Sequence, residues 1–378
     1  MKKRRIIIFT IFCYLYNFIA LSSNMYLDNK VKPNEIVISD YKNNQLEFND
    51  FTNNISIILL KNNEHSFGKI TDLCIQDSLI YILDGTTTSL FVFNSNNSDV
   101  VNKISINGVN PNEYTSPIAI DIDSNFVYIL DKLSKKIVCY NKNLTPAEPK
   151  KIDFNATDFI KTENGFAFYN SEKNNGNFEL IITDNNCKAL KKYFPYENDT
   201  TKFKYKWDST NKHFKRINNE IFLNRSHSSN IYKINKDIIS NVINLNFEKD
   251  SLPKSININS FDVYKQDKYA ICLGFFILHN TFINSFLKNG KLFYSFMYFE
   301  NTKPVIGSVN ENEYLLPFYP RWQNNNQLIG TCSFSYIKEA LNNTPIKPAN
   351  WLIENFKDED NLLIIYNIQI NKKFNSGI

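Results

Sequence analysis

The sequence predicts an all-β fold built as a β-propeller, and three observations carry that reading. First, Tyr81-Ile82-Leu83-Asp84 recurs as Tyr128-Ile129-Leu130-Asp131, 47 residues further on, a spacing that marks a repeated supersecondary unit. In both copies an apolar run meets a polar turn, a second run ends in Asp, and a third run closes on Asn, which describes an antiparallel meander. Second, the chain holds 31 Phe and 21 Tyr in 378 residues, and such aromatic-rich composition favours strands. Third, a lone apolar strand, Ile55–Leu60, stands at the start of the repeats and another, Leu362–Ile370, stands at their end. Each would be an exposed edge by itself, and pairing them in one blade closes a ring.

Taken in order, residues 1–22 begin with Lys2, Lys3, Arg4 and Arg5, continue as an apolar run from Ile6 to Leu21, and offer Ala20-Leu21-Ser22 as a small-residue cleavage site. This is the pattern of an export signal; left uncleaved, the run would serve as a membrane anchor or tether. Cys13 follows bulky Ile11 and Phe12, which speaks against lipidation there. Removing these residues takes 43 Lys plus Arg down to 39, against 38 Asp plus Glu. A nearly neutral chain lacks the basic excess that nucleic acid demands. Residues 23–50 read as a polar linker with at most one short strand at Glu35–Ser39, and residues 51–372 as the propeller.

Full repeats occupy about 68–106 and 115–154, joined by the turn-rich loop Asn107-Gly108-Val109-Asn110-Pro111-Asn112-Glu113-Tyr114. Fainter copies follow at 165–186, 221–248 and 261–299. The last segment, 303–370, carries two helical stretches, Phe334–Leu341 and Pro348–Phe356, expected as an insertion in the final blade. Gly is scarce at 10 residues, so many turns are expected to use Asn, Asp and Ser.

The early strand, the two YILD strands, the loop NGVNPNEY, the strand IYKINKD (231–237) and the closing DEDNLLIIYNI (358–368) stand in an order that resembles exported bacterial six-bladed β-propeller proteins related to the NHL-repeat propellers. The resemblance spans about 50–372. It implies six blades, where a 47-residue period alone would suggest nearer seven, and it implies no established activity. Related loops have a GPGEY pattern: Pro111, Glu113 and Tyr114 match, whereas Asn110 and Asn112 occupy glycine positions. Asn is the next most tolerant residue for positive φ, so the loop shape is expected to survive.

No Gly-x-Ser-x-Gly, His-Glu-x-x-His, phosphate loop or Cys-x-x-Cys is present. Asp121–Asn125 imitates the start of a calcium loop, but Phe126 and Lys132 replace its Gly and Glu, leaving a strand-to-strand turn. The five cysteines beyond Cys13 are scattered and read as small buried hydrophobes rather than a zinc or disulfide framework. Asp84 and Asp131 end equivalent strands; turn capping is the expected role, and lining a channel to hold a cation is the rival. Candidate binding residues on one ring face are Glu113 and Tyr114 in the loop, Arg225 with His227, and Arg321 with Trp322, because arginine beside rings suits carboxylate, sugar or protein recognition. The expectation is an exported, monomeric, non-catalytic module for a protein or glycan partner, at the periplasm or cell surface, with no cofactor. The alternative is a hydrolase or lyase of a sugar lactone or polysaccharide with a metal in the channel.

Overall fold

The computed structural model describes residues 33–41, 43–60, 68–105, 107–171, 178–195, 212–226, 228–253, 268–278, 281–298, 303–309, 316–324, 327–342 and 361–369. Six small antiparallel meanders follow one another as the blades of a ring. Blade 1 runs from Ile70 to Ile104, blade 2 from Pro117 to Lys151, blade 3 from Asp158 to Pro195, blade 4 from Phe214 to Asn246, blade 5 from Ile271 to Val309 and blade 6 from Trp322 to Ile368. The six-bladed ring is as expected, and the count of six holds because blade 6 is enlarged: helix α2 (Phe334–Asn342) lies between its strands Gln327–Ser333 and Asn361–Ile368. The second helical stretch, Pro348–Phe356, lies outside the described residues.

Ring closure is the expected one. Thr52–Leu59 is the outer strand of blade 6, antiparallel to Asn361–Ile368, with Leu59 opposite Leu362 and Ile55 opposite Tyr366. Two chain ends that would each be an edge thereby share a sheet. The segment read as a linker has structure beyond one strand. Asn34–Val37 pairs parallel with the outer strand of blade 4, and Gln45–Leu46 pairs parallel with the outer strand of blade 5. The short helix α1 (Phe48–Phe51) then packs Phe51 on Phe296 and Phe318, with ring centroids 4.7 and 4.8 Å apart. The segment is a strap around three blades. Its polar sequence hid this, since among its described residues Ile36, Ile38, Tyr41, Leu46, Phe48 and Phe51 alone are buried hydrophobics.

Core side chains gather at the junctions between blades. Tyr81, Leu83 and Val92 of blade 1 meet Ile120, Ile129 and Val138 of blade 2; Trp322, Ile329 and Leu363 of blade 6 meet Ile70, Ile80 and Phe91 of blade 1. Each blade thus buries both faces, and its middle strands read as continuous apolar runs. Turns follow the scarcity of glycine: Asn218 and Asn219 have φ of 48° and 66°, and Asn289-Gly290 has 52° and 69°, the two-residue hairpin geometry. Asp77, Ser98 and even Lys135 also take positive φ.

Candidate functional site

The first strand of every blade lines the axis of the ring. Blades 1 to 4 contribute Ile70–Gln76, Pro117–Ile122, Asp158–Thr162 and Phe214–Ile217, while blades 5 and 6 contribute Ile271–Leu278 and Trp322–Asn324. Carboxylates on these strands tie neighbouring blades together. Asp72 Oδ2 accepts the Ile120 N–H at 2.8 Å, Asp121 Oδ2 accepts the Lys161 N–H at 2.7 Å, and Asp158 Oδ2 accepts the His213 N–H at 2.9 Å. Asp72 Oδ1 also accepts Trp322 Nε1–H at 2.8 Å, joining blade 6 to blade 1. Gln323 performs the same task between blades 5 and 6, its amide bonding both the N–H and the C=O of Ile277.

Cations enter from blade 4. Lys212 Nζ lies 2.8 Å from Asp72 Oδ2, and Arg216 Nη2 lies 2.9 Å from Asp121 Oδ2. Burial by itself would lower the Lys212 pKa, but the anionic neighbours led by Asp72 push it up, so this lysine stays charged. Lys215 is different. Its side chain is buried, and Nζ stands 4.5 Å over the Phe276 ring with a single long hydrogen bond, 3.4 Å, to the Arg321 carbonyl. Desolvation, reinforced by the nearby Lys212 charge, pulls its pKa down to about 7. Asp158 is pushed up from the carboxylate range by burial, against the pull of Lys212 and His213.

Between these strands lies a cavity of about 280 Å³, lined among others by Gln76, Asp121, Lys212, Lys215, Arg216 and Asn324. Gln76, Ile122 and Asn324 end their strands, so the cavity opens where first strands turn into second strands.

Of the sequence-predicted binding residues, Trp322 lines the inner wall of this cavity, whereas Glu113, Tyr114, Arg225 and Arg321 sit toward the other end of the ring, where first strands begin, engaged inside the fold. Tyr114 is fully buried in the core between blades 1 and 2. Glu113 clamps its own loop: its carboxylate accepts the Asn110 N–H at 3.0 Å and the Asn110 amide at 2.7 Å. Those bonds, with help from Lys136, hold its pKa below the usual carboxylate range. Neither Asn110 nor Asn112 is among the positive-φ residues. The expectation of left-handed backbone there is corrected, because Lys136 and Tyr140 hold the Asn110 and Asn112 carbonyls and fix the loop from outside.

Arg225 forms a two-pronged pair with Glu179 of blade 3, at 2.7 and 2.8 Å, with its guanidinium 4.1 Å over the Phe194 ring. Arg321 stacks 4.4 Å over Trp322, and Trp322 is 4% exposed with its N–H on Asp72, a core residue rather than a surface anchor. His227 lies outside the described residues. Glu113, Arg225 and Arg321 therefore stand at three separate blade junctions.

Asp84 and Asp131 are turn caps. Asp84 accepts the Gly68 and Thr86 N–H groups and the Thr87 hydroxyl, and Asp131 accepts the Thr115 and Ser116 N–H groups. Asp123 likewise receives the Asn125 and Phe126 N–H groups at 2.8 Å in a plain strand-to-strand turn. Cys74, Cys139, Cys187, Cys272 and Cys332 are free thiols. Among the described residues no three His, Cys, Asp or Glu side chains are grouped to hold a metal ion. The three channel aspartates fit a metal poorly, as backbone N–H groups and the Lys212 and Arg216 cations already occupy at least one oxygen of each.

The geometry defines a six-bladed propeller with a charged cavity on its axis. The chain belongs to the family described as "Domain of unknown function (DUF4934)", whose model matches residues 33–367 and so includes the strap as well as the ring. No curated protein matches it. Among solved structures, a Bacteroides fragilis protein described as exported is similar at 16% identity and a TM-score of 0.74, covering 89% of this chain and 100% of its own. A Bacteroides vulgatus member of the DUF4221 family is similar at 10% identity and a TM-score of 0.48, covering 85% and 97%. Virginiamycin B lyase from Staphylococcus aureus follows at 10% identity and 0.44, covering 84% and 100%. At these identities the likeness is one of fold.

Proposed function

We propose that this protein is an exported, non-catalytic binding module that takes a glycan end into the mouth of its axial cavity. The observation that carries the reading is the cavity itself: a preformed concavity of about 280 Å³ with convergent amides and charges on a rigid ring. A scaffold of this kind supplies recognition without needing a reactive group. The channel acids, which a hydrolase or lyase would use, are already bonded to backbone amides of the next blade.

Export is supported by the basic-then-apolar N-terminus and by the similar Bacteroides fragilis protein. No helix among the described residues is long and apolar enough to cross a membrane. Mass spectrometry of protein from its native host is expected to find a new N-terminus near residue 23; an intact Met1 in a cytoplasmic fraction would contradict export.

The Asn324 side chain at the rim makes no hydrogen bond among the described residues, so Asn324→Trp should plug the mouth without disturbing the ring. Immobilised glycans captured by the native protein should be lost by this variant at unchanged thermal stability. Capture that survives the plug would refute the reading, capture of proteins alone would point to a protein partner, and release of shortened or unsaturated sugars would point to an enzyme.

A further inference from the structure

The charges around the cavity do not balance locally. Lys212 pairs with Asp72 and Arg216 with Asp121. Lys215, 4% exposed, has no carboxylate partner among the described residues, although a buried ammonium without an anion is costly. Arg216 donates through Nη2 to Asp121 and to the Lys161 carbonyl, and the rest of its fork has no partner among the described residues. Both unfilled donors line the same cavity. Its volume falls just below the ~300–1,000 Å³ of sites for drug-sized molecules, so the occupant is compact. Asp121 and Asn324 supply an acceptor and an amide beside the two cations, a set that reads hydroxyl groups.

Resting on the binding-module reading above, we infer that the axial cavity recognises a carboxylated monosaccharide unit, its carboxylate held between Lys215 and Arg216 and its hydroxyls by Asp121 and Asn324. A carboxylate oxygen can take one of the remaining Arg216 N–H groups on Nη1 or Nε, and the carboxylate supplies the counter-ion that Lys215 lacks. A neutral sugar would leave Lys215 without an anion. The lysine also provides a signature. Asp158 and Asp72 favour its charged form, whereas burial, Lys212 and Arg321 disfavour it. A bound carboxylate adds to the first group, so binding above neutral pH draws a proton onto Lys215 Nζ from solvent.

The test is calorimetric titration of D-glucuronate and D-glucose into the native protein, Lys215→Met and Arg216→Gln, at pH 8 in two buffers of different ionisation enthalpy. Native protein should bind glucuronate at least tenfold more tightly than glucose, with net proton uptake. Lys215→Met, an apolar replacement for a buried cation, should melt no lower than the native protein, lose tenfold or more in affinity and abolish the uptake; Arg216→Gln should weaken binding while leaving uptake. Equal affinity for the two sugars, unchanged affinity in Lys215→Met, or no glucuronate binding would overturn the inference. Glycan capture still sensitive to Asn324→Trp in that case would fault the acid specificity alone, whereas capture insensitive to the plug would fault the module reading itself.

Discussion

Lys215 shows how a single residue couples the site to stability. Its ordinary pKa of 10.5 falls to about 7 in the fold, chiefly through desolvation. Above the ordinary value both folded and unfolded chains carry the neutral amine. Between about 10 and 7 the unfolded chain binds a proton that the folded chain refuses, so stability falls as pH falls through this window, by about 1.4 kcal/mol per unit, and levels off below 7. Lys215→Met should remove this slope. Denaturation midpoints at pH 7, 8.5 and 10 check it: the native protein should gain stability relative to the variant as pH rises, and parallel curves would show that Lys215 is charged in the fold. Trp322 makes a second residue-scale prediction. Its buried ring and its bond to Asp72 join blades 6 and 1, so Trp322→Ala should cost about 3–5 kcal/mol. A midpoint within 1 °C of native would return Trp322 to the surface role its sequence neighbourhood suggests.

At the scale of the element, the loop from Asn107 to Tyr114 behaves as one unit. A Cβ on Gly108 would lie 1.9 Å from Glu113 Oε2, so Gly108 is glycine to let the Glu113 carboxylate reach Asn110. Gly108→Ala and Glu113→Ala should then do the same damage, each undoing the clamp, and the double variant should be little worse than either. A double-mutant cycle of thermal or denaturant stability measures this coupling, and additive losses would separate the two residues. The loop was legible from sequence as a blade connector, because Gly, Pro and Asn are turn chemistry wherever they fall. Its mechanism was not, because Lys136 and Tyr140 hold it from a strand more than twenty residues away. The same limit explains the site. Middle strands such as LIYILD and FVYILD are buried on both faces and announce themselves, whereas the first strands of blades 4 and 6, FKRI and WQN, are short and half polar. Lys215 reaches toward blades 5 and 6 and Arg216 toward blades 2 and 3 on either side of the cavity, so the hydrophobic pattern that marks a strand is weakest where the cavity is built. Of the arginines that drew notice instead, Arg321 stands beside Trp322 because that ring packs the junction of blades 6 and 1.

For the whole molecule, the ring is closed by sequence-distant pairing, and the strap reinforces it from outside. Tyr41 donates to Asp250 at 2.6 Å, Asp250 also takes Lys288 Nζ at 2.9 Å, and Gly307 leaves room for Asn44 and Leu46 against blade 5. The strap adds outer strands to blades that are already complete meanders, so a chain starting at Phe51 keeps the ring closed and should melt cooperatively at a lower temperature. Closure itself is another matter. Leu362, Leu363, Ile364, Ile365 and Tyr366 are all buried in the strand that Thr52–Leu59 covers. Losing even two such side chains costs about 4–10 kcal/mol, comparable with the ~5–15 kcal/mol that holds a whole domain together. Blade 6 without this strand would also leave Ile329 and Trp322, and through them Ile70 and Phe91 of blade 1, facing water. Truncation after Asn361, or deletion of residues 51–60, should therefore abolish the cooperative transition of the entire ring rather than loosen one blade. Differential scanning calorimetry with near-ultraviolet circular dichroism reads this directly. A sharp, near-native transition in either shortened chain would mean that the six blades hold together without their closing strand.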